Sequence, residues 1–252
     1  MTVEPRTGVI DKQQFDADGF LIVRELLPTT ECAGLAAELT TLLEHQRQAN
    51  PKGRGGLRNV LRISPIAASV AFSETILSLV SDLLGGKAFP VRAILFDKTD
   101  GANWGVPWHQ DLAIAVAERK DTEGFGPWSV KEAVVHVQPP LNVLATMVTV
   151  RLHLDDCNAD NGALRVLPGS HLGGELSSED IAAWSARSPG VTCELPVGGA
   201  VVMRPLLLHA SSPAKNPSHR RVFHIEYAAT ELPNGLKWSE RSLTCLVRKE
   251  QL

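Results

Sequence analysis

Hydrophobic positions change their period near residue 88. Before it, Leu35, Leu39, Leu42 and Leu43 recur at helical spacing behind Thr29 and Thr30, which are placed to cap a helix, and the stretch from Asp11 to about Gly86 reads as helical. A short strand, Phe20 to Val23, interrupts it. A second apolar helix, Glu74 to Leu84, is expected to stop at Gly85-Gly86, because glycine takes the left-handed cap most easily. Asn50 to Gly56, rich in glycine and basic residues, reads as a mobile loop between the two helices. From Phe89 onward come short β-branched runs, PVRAILFDK, TMVTVRLHLDD, GALRVLP, GAVVMRPLLLH and RRVFHIEYA, separated by Gly, Pro and Asn. Many short strands at fairly regular spacing predict a sandwich or jelly roll. Asn161-Gly162 signals a tight turn. Glu118 to Pro140, carrying Trp128 and Gln138, reads as the main irregular insertion, a place where lids and substrate contacts gather.

Composition adds limits to this picture. A chain of 252 residues, 44% hydrophobic and 21% charged, can bury roughly three-quarters of its unfolded surface in one core. We therefore expect one domain over 1–252, with a mostly helical layer at 1–88 packed on a β core at 89–235. A net charge of -3 offers no electrostatic reason to expect nucleic acid or an anionic membrane as partner, so a small-molecule substrate is the expectation. The first residues, MTVEPRTGVIDKQQF, lack a basic segment followed by an apolar core, and no window reaches the roughly 18 apolar residues that cross a bilayer, which points to a cytoplasmic protein. Cys32, Cys157, Cys193 and Cys245 lie far apart without a CxxC pair and are read as reduced thiols, not as a zinc site or a disulfide framework.

The chemistry is concentrated in the histidines. A non-haem iron that must also bind a co-substrate and oxygen needs three protein ligands on one face, and two histidines with one carboxylate provide them. His-x-Asp supplies two of the three compactly, since residues i and i+2 of an extended segment point to one side. The triplet occurs twice, as His109-Gln110-Asp111 and His153-Leu154-Asp155, and His224-Ile225-Glu226 is a third variant, so the triplet alone decides nothing. Position separates them. The last has no histidine downstream; the second runs into Asp155-Asp156-Cys157-Asn158, an ordinary acidic turn. The first sits in VPWHQDLAI, and His209 closes an apolar strand about a hundred residues later. A guanidinium fork to hold a co-substrate carboxylate is available eleven positions after His209, at Arg220. Arg220 and Arg221 are adjacent, and alternation turns only one of them inward. Spacing from His209 favours Arg220, whereas Arg221 shares its face with Phe223, Ile225 and Tyr227.

The stretches FDADGFLIVRELL, WHQD, LHLDDCNADNGALRVLPGSH and LHASSPAKNPSHRRVFHIEY resemble the phytanoyl-CoA dioxygenase-like family of Fe(II)- and 2-oxoglutarate-dependent oxygenases, and together they span most of the chain. The resemblance implies a double-stranded β-helix, a cupin-like jelly-roll barrel with a helical N-terminal layer. It also implies Fe(II) held by His109, Asp111 and His209, with 2-oxoglutarate and O2 as co-substrates. Arg220 would bind the distal carboxylate of 2-oxoglutarate, and Ser211 matches a hydroxyl that contacts the same molecule. The implied activity is hydroxylation of a small molecule with release of succinate and CO2. Some relatives replace the aspartate with a small residue and bind halide, so Asp111 favours hydroxylation.

Other residues carry weaker expectations. Arg151 shares a strand face with Met147, Thr149 and His153; on a barrel interior it would touch co-substrate or substrate, and otherwise it is an exposed or paired arginine. Trp128 is either a lid residue or simple packing. Lys98 is read as an edge-strand charge, and His171 as a structural histidine ending a turn. The Glu118–Pro140 and Asn50–Arg62 loops are expected to shape the pocket. Two rival functions remain from the sequence: a cupin-type metal-dependent isomerase or epimerase, which needs no arginine beside the metal, and a non-catalytic small-molecule-binding jelly roll in which the histidines are core residues.

Overall fold

The structure, a computed structural model, describes residues 11–49 and 56–241. The first ten residues, nearly all of the basic loop expected at Asn50–Gly56, and Cys245 lie outside the described residues. Seven α-helices are α1 (Lys12–Asp18), α2 (Thr29–Ala49), α3 (Val60–Ile63), α4 (Pro65–Ala71), α5 (Glu74–Leu84), α6 (Leu141–Ala145) and α7 (Ser178–Arg187). The strands are β1 (Phe20–Val23), β2 (Gly56–Leu57), β3 (Phe89–Lys98), β4 (Val106–His109), β5 (Ile114–Val116), β6 (Trp128–Lys131), β7 (Val134–Val137), β8 (Met147–His153), β9 (Leu164–Val166), β10 (Val191–Cys193), β11 (Ala200–Met203), β12 (His209–Ser211) and β13 (Arg220–Ala228).

Three sheets form. The large one has the order β1-β11-β8-β13-β3-β2, the second β10-β9-β12-β4 and the third β5-β7-β6. From β3 to β13 the chain passes repeatedly between the large sheet and the second one: β3, β8, β11 and β13 lie in the former and β4, β9, β10 and β12 in the latter. That winding is the jelly roll expected from the strand texture, as two open sheets. All described pairings are antiparallel, and β13 sits centrally, paired with both β3 and β8.

Strand alternation divides the large sheet into two chemically different faces. Phe223, Ile225 and Tyr227 of β13 and Val148, Val150 and Leu152 of β8 join one buried cluster with Leu35, Leu39 and Leu43 of α2 and Ile76, Val80 and Leu83 of α5. The Tyr227 hydroxyl donates to the Ala71 carbonyl of α4 at 2.9 Å, tying the sheet to the helical layer. At roughly 1.5–3 kcal/mol per fully buried large apolar side chain, this outer face supplies much of the driving force for folding. The opposite face of the same strands carries Arg220, His224, Glu226, Arg151 and His153, all buried. No single helix among the described residues is long and apolar enough to cross a membrane.

Several local expectations hold. Helix α5 spans Glu74–Leu84, and Gly85 caps it in the left-handed region with its N–H on the Ser81 carbonyl. Thr29 begins α2 itself, so Thr29 and Thr30 lie in its first turn and do not cap it from outside. The Glu118–Pro140 stretch departs from the expectation of an irregular loop: it contains the hairpin β6–β7, whose third partner is β5. Its turn is Glu132-Ala133, both at positive φ (49° and 63°), without the glycine or asparagine that announces such a turn. Cys32, Cys157 and Cys193 are free and buried, as expected.

Candidate active site

His109 ends β4 and His209 opens β12, and the two residues are direct cross-strand partners. Their rings lie 4.1 Å apart, centroid to centroid. Asp111 follows β4 and is fixed by its own N–H on the Pro205 carbonyl at 2.9 Å. Its carboxylate oxygens stand 3.6 Å from His209 Nε2 and 4.0 Å from His109 Nε2. One donor atom from each residue lies within 4.8 Å of the other two, a spacing that can hold a metal ion. Nδ1 of His109 sits 2.9 Å from the Pro107 carbonyl, and Nδ1 of His209 sits 2.9 Å from the Leu207 carbonyl. A carbonyl only accepts, so each Nδ1 carries the proton and each Nε2 presents a lone pair to the shared centre.

The electrostatics favour the deprotonated forms of Asp111 and His209. Burial would raise the Asp111 carboxyl, but His209, His224, His109 and Arg92 outweigh it and hold the group at about 2. His209 is pushed down to about 4, mainly by burial, against the opposing pull of Asp111. Asp111 Oδ2 is enclosed and has no hydrogen-bond partner among the described residues.

Between the two ligands, Gln110 points the other way and fastens the segment. Its amide nitrogen donates to the Gly174 and Leu206 carbonyls at 2.7 and 2.6 Å, and its oxygen accepts from Leu176 N at 2.8 Å. A buried, fully engaged amide flanked by His109 and Asp111 holds both in place. In the sequence Gln110 is marked only as the polar residue that alternates with His109 and Asp111.

The two adjacent arginines have opposite surroundings. Arg221 N and Nε both donate to Asp155 Oδ2, at 2.7 and 2.8 Å, Nη2 reaches Asp155 Oδ1 and Nη1 reaches Thr40 Oγ1 at 3.0 Å. Arg221 thus joins β13 to the end of β8 and to α2, and Asp155 is its fork partner. Arg220 faces the interior at 4% exposure; its Nε has no hydrogen-bond partner, and the Cys157 thiol is its polar neighbour.

Lys98, expected as an edge-strand charge, is instead 1% exposed in β3, between β13 and β2. It is the cross-strand partner of Arg220, and its Nζ donates to Ser211 Oγ at 3.2 Å and to the Ser212 carbonyl at 2.5 Å. Burial first, then Arg220, lowers the ammonium to about 8. Arg220, Lys98 and Ser211 therefore form one polar corner. Arg151 Nη1 lies 2.8 Å from His224 Nδ1, which must accept, so His224 carries its proton on Nε2, 3.4 Å from Glu226 Oε1. Glu226 in turn pairs with Arg92. The triplet His224-Ile225-Glu226 is thus an interior hydrogen-bonded array. Trp128 packs, partly buried, on the cluster that contains Ile114, Val137 and Trp238, with Leu112 beside it, and stacks against Arg119 at 5.5 Å. His171 is structural, 3.2 Å from the Asp16 carbonyl of α1.

Two histidines and a carboxylate thus meet on adjoining strand ends, with donor atoms within 4.8 Å of one another. The family profile described as Phytanoyl-CoA dioxygenase (PhyH) matches residues 15–222. The chain belongs to that family. Curated relatives include ectoine dioxygenase of Streptomyces anulatus, 25% identical over 170 residues, covering 64% of this chain and 50% of that protein. L-proline trans-4-hydroxylase of Streptomyces griseoviridis is 23% identical over 249 residues, covering 86% of this chain and 84% of that protein. The chain thus spans about half the length of the ectoine dioxygenase it matches. Among solved structures, EctD from S. alaskensis with bound Fe superposes with a TM-score of 0.66 at 19% identity, over 86% of this chain and 75% of that one. The same protein has been solved with 2-oxoglutarate and 5-hydroxyectoine. At that identity the likeness carries the fold, a jelly roll with flanking helices.

Proposed function

We propose that the chain is a non-haem Fe(II)- and 2-oxoglutarate-dependent dioxygenase that hydroxylates a small molecule, releasing succinate and CO2. His109, Asp111 and His209 hold the iron. The observation that carries this reading is the convergence of the two Nε2 atoms with an Asp111 oxygen that has no partner among the described residues: one donor atom from each residue lies within 4.8 Å of the other two. Three neutral or anionic N/O donors on one side suit Fe(II), whose remaining positions stay open to small ligands.

Arg220 binds the distal carboxylate of 2-oxoglutarate, supported by Ser211. A buried guanidinium with an idle Nε, and a lysine beside it, neither in an ion pair among the described residues, are costly unless an anion joins them. When bound, the iron and 2-oxoglutarate together supply the activation of O2 and the oxidising power. The protein's own contributions are positional. Backbone carbonyls fix the imidazole tautomers and Gln110 clamps the ligand segment. With Asp111 in place the third ligand position is filled by the protein, which favours hydroxylation. The substrate is a small molecule, in line with the activities after which the curated relatives are named.

Purified protein given Fe(II), O2 and 2-oxoglutarate should release succinate slowly even without substrate, and His209→Ala should abolish the release. Equal background in both proteins, with no uptake of Fe(II) or 2-oxoglutarate by wild type, would overturn the proposal.

A further inference from the structure

The interior face of the large sheet is laid out in steps. Along β13 the inward residues run Arg220, Val222, His224, Glu226, and their partners on β8 are His153 for Val222 and Arg151 for His224. At roughly 3.4 Å per residue, His153 stands one inward step, near 7 Å, from Arg220, and Arg151 two steps. The two ends of this row differ. Ser211 meets Lys98, which pairs with Arg220, so that end is the distal-carboxylate corner. His209 precedes Ser211 by two residues on β12, so the candidate ligands stand one strand step, roughly 7 Å, from the Ser211–Lys98 contact, and Asp111 is near enough to Arg151 and His224 to act on both charges.

Polar atoms along this row lack partners. Arg151 is 9% exposed with Nε enclosed and unpartnered, and it forms no ion pair among the described residues. His153 is 1% exposed, and neither of its ring nitrogens has a hydrogen-bond partner. Burial, then Arg151 and Arg220, keep it neutral by driving its pKa to about 3. Such groups are normally satisfied, and each unpaired one costs on the order of 1–3 kcal/mol. Three cations, Lys98, Arg151 and Arg220, surround this space, whereas Glu226 is already engaged by Arg92 and His224. One guanidinium answers one carboxylate, and 2-oxoglutarate has two.

We propose that Arg151 and His153 form a second wall of the co-substrate pocket, Arg151 donating to the 2-keto acid end of 2-oxoglutarate beside the metal ligands and His153 hydrogen-bonding between the two guanidinium groups. This rests on the activity proposed above. It makes recognition of the co-substrate two-ended: Arg220 reads the distal carboxylate and Arg151 the end that remains when the distal carboxylate is removed.

The test is anaerobic calorimetry on the Mn(II)-loaded protein with 2-oxoglutarate and with 2-oxovalerate, which keeps the keto acid and replaces the distal carboxylate by a methyl group. Wild type should prefer 2-oxoglutarate. Arg151→Gln should weaken both ligands by roughly tenfold or more, leaving their ratio unchanged, as expected for loss of a charge-assisted bond to the shared end. Arg220→Gln should collapse the ratio, and His153→Leu should weaken both ligands several-fold. Mn(II) uptake reports that each variant retains its fold, and Arg151→Met, which keeps the length of the stem but removes the charge and the donors, carries the same test if Arg151→Gln does not fold. An Arg151 variant that binds 2-oxoglutarate as wild type does overturns the inference, and so does one whose ratio collapses. Wild type that binds no 2-oxoglutarate overturns the underlying activity instead, so the two failures are distinct.

Discussion

Arg220 and Arg221 are neighbours in sequence with opposite duties, and exchanging each for glutamine should separate the two. Arg221 makes four polar contacts, three of them charge-assisted to Asp155, at half-buried positions where both side chains are about 20% exposed. Arg221→Gln keeps the backbone donor and loses the fork. Hydrogen bonds to charged groups are worth roughly 1.5–3 kcal/mol each when buried, and partial exposure discounts the pair to about 2 kcal/mol in total. For a domain of this size that lowers Tm by roughly 4–8 °C. Arg220→Gln removes a buried cation that has no ion pair among the described residues, so Tm should stay level or rise. The cost appears in binding instead: losing a two-pronged contact to a carboxylate at roughly 1.5–3 kcal/mol per bond weakens 2-oxoglutarate by about a hundredfold or more. Calorimetric melting and a 2-oxoglutarate titration of the Mn(II) protein, run on both variants, read the two quantities side by side. If Arg221→Gln loses 2-oxoglutarate while Arg220→Gln loses only stability, the assignment of faces is wrong.

Gly162 holds φ at +80° and a Cβ there would sit 2.4 Å from the Ser212 carbonyl and 2.9 Å from Lys98 Nζ, so Gly162→Ala should lower Tm and also weaken 2-oxoglutarate by shifting Lys98, read in the same two assays. Burial raises Glu240 to about 7 although it accepts the Ala93 N–H, so the folded state holds its proton more tightly than the unfolded chain. Stability from this group is therefore present below the unfolded carboxyl pKa near 4.3 and declines as pH rises to 7; Glu240→Gln should raise Tm at pH 8, leave it nearly unchanged at pH 4, and flatten the profile between. Leu39→Ala, at a fully buried position of α2, should cost roughly 2–5 kcal/mol in denaturant titration while leaving Fe(II) uptake by the folded protein intact.

What could be read in advance tracks how local each signal is. Helix α5 was legible to the residue because its apolar spacing and the capping Gly85 lie within one short window. The strands were legible as β-branched runs, and the convergence of His109, Asp111 and His209 as a triplet followed by a distant histidine. The hairpin β6–β7 was not, because its turn uses Glu132-Ala133 at positive φ and its strands are too short to show alternation. The misreading of Lys98 has a different cause. A lysine closing a strand is ordinarily an edge charge, and only the pairing of β3 between β13 and β2 buries it. The choice between Arg220 and Arg221 likewise depended on which face the helices cover, a tertiary fact that period-two alternation frames but does not decide.

That division of faces also explains how a small fold tolerates such a polar interior. A jelly roll ordinarily fills the space between its sheets with apolar side chains, and here much of it holds Lys98, Arg151, His153, Arg220, His224 and Glu226. Each desolvated group there is unfavourable to folding. The compensation lies on the other side of the same strands, where α2, α4 and α5 cover Val148, Val150, Leu152, Phe223, Ile225 and Tyr227 in the largest apolar cluster. Because alternate residues of β8 and β13 serve the two faces, the strands cannot shift register by one residue without exchanging core for site. The register that buries the leucines of α2 against Phe223 is the one that aims Arg220 inward. Stability and the geometry of the candidate site are therefore set by a single choice of strand pairing, which the helical layer fixes from the apolar side.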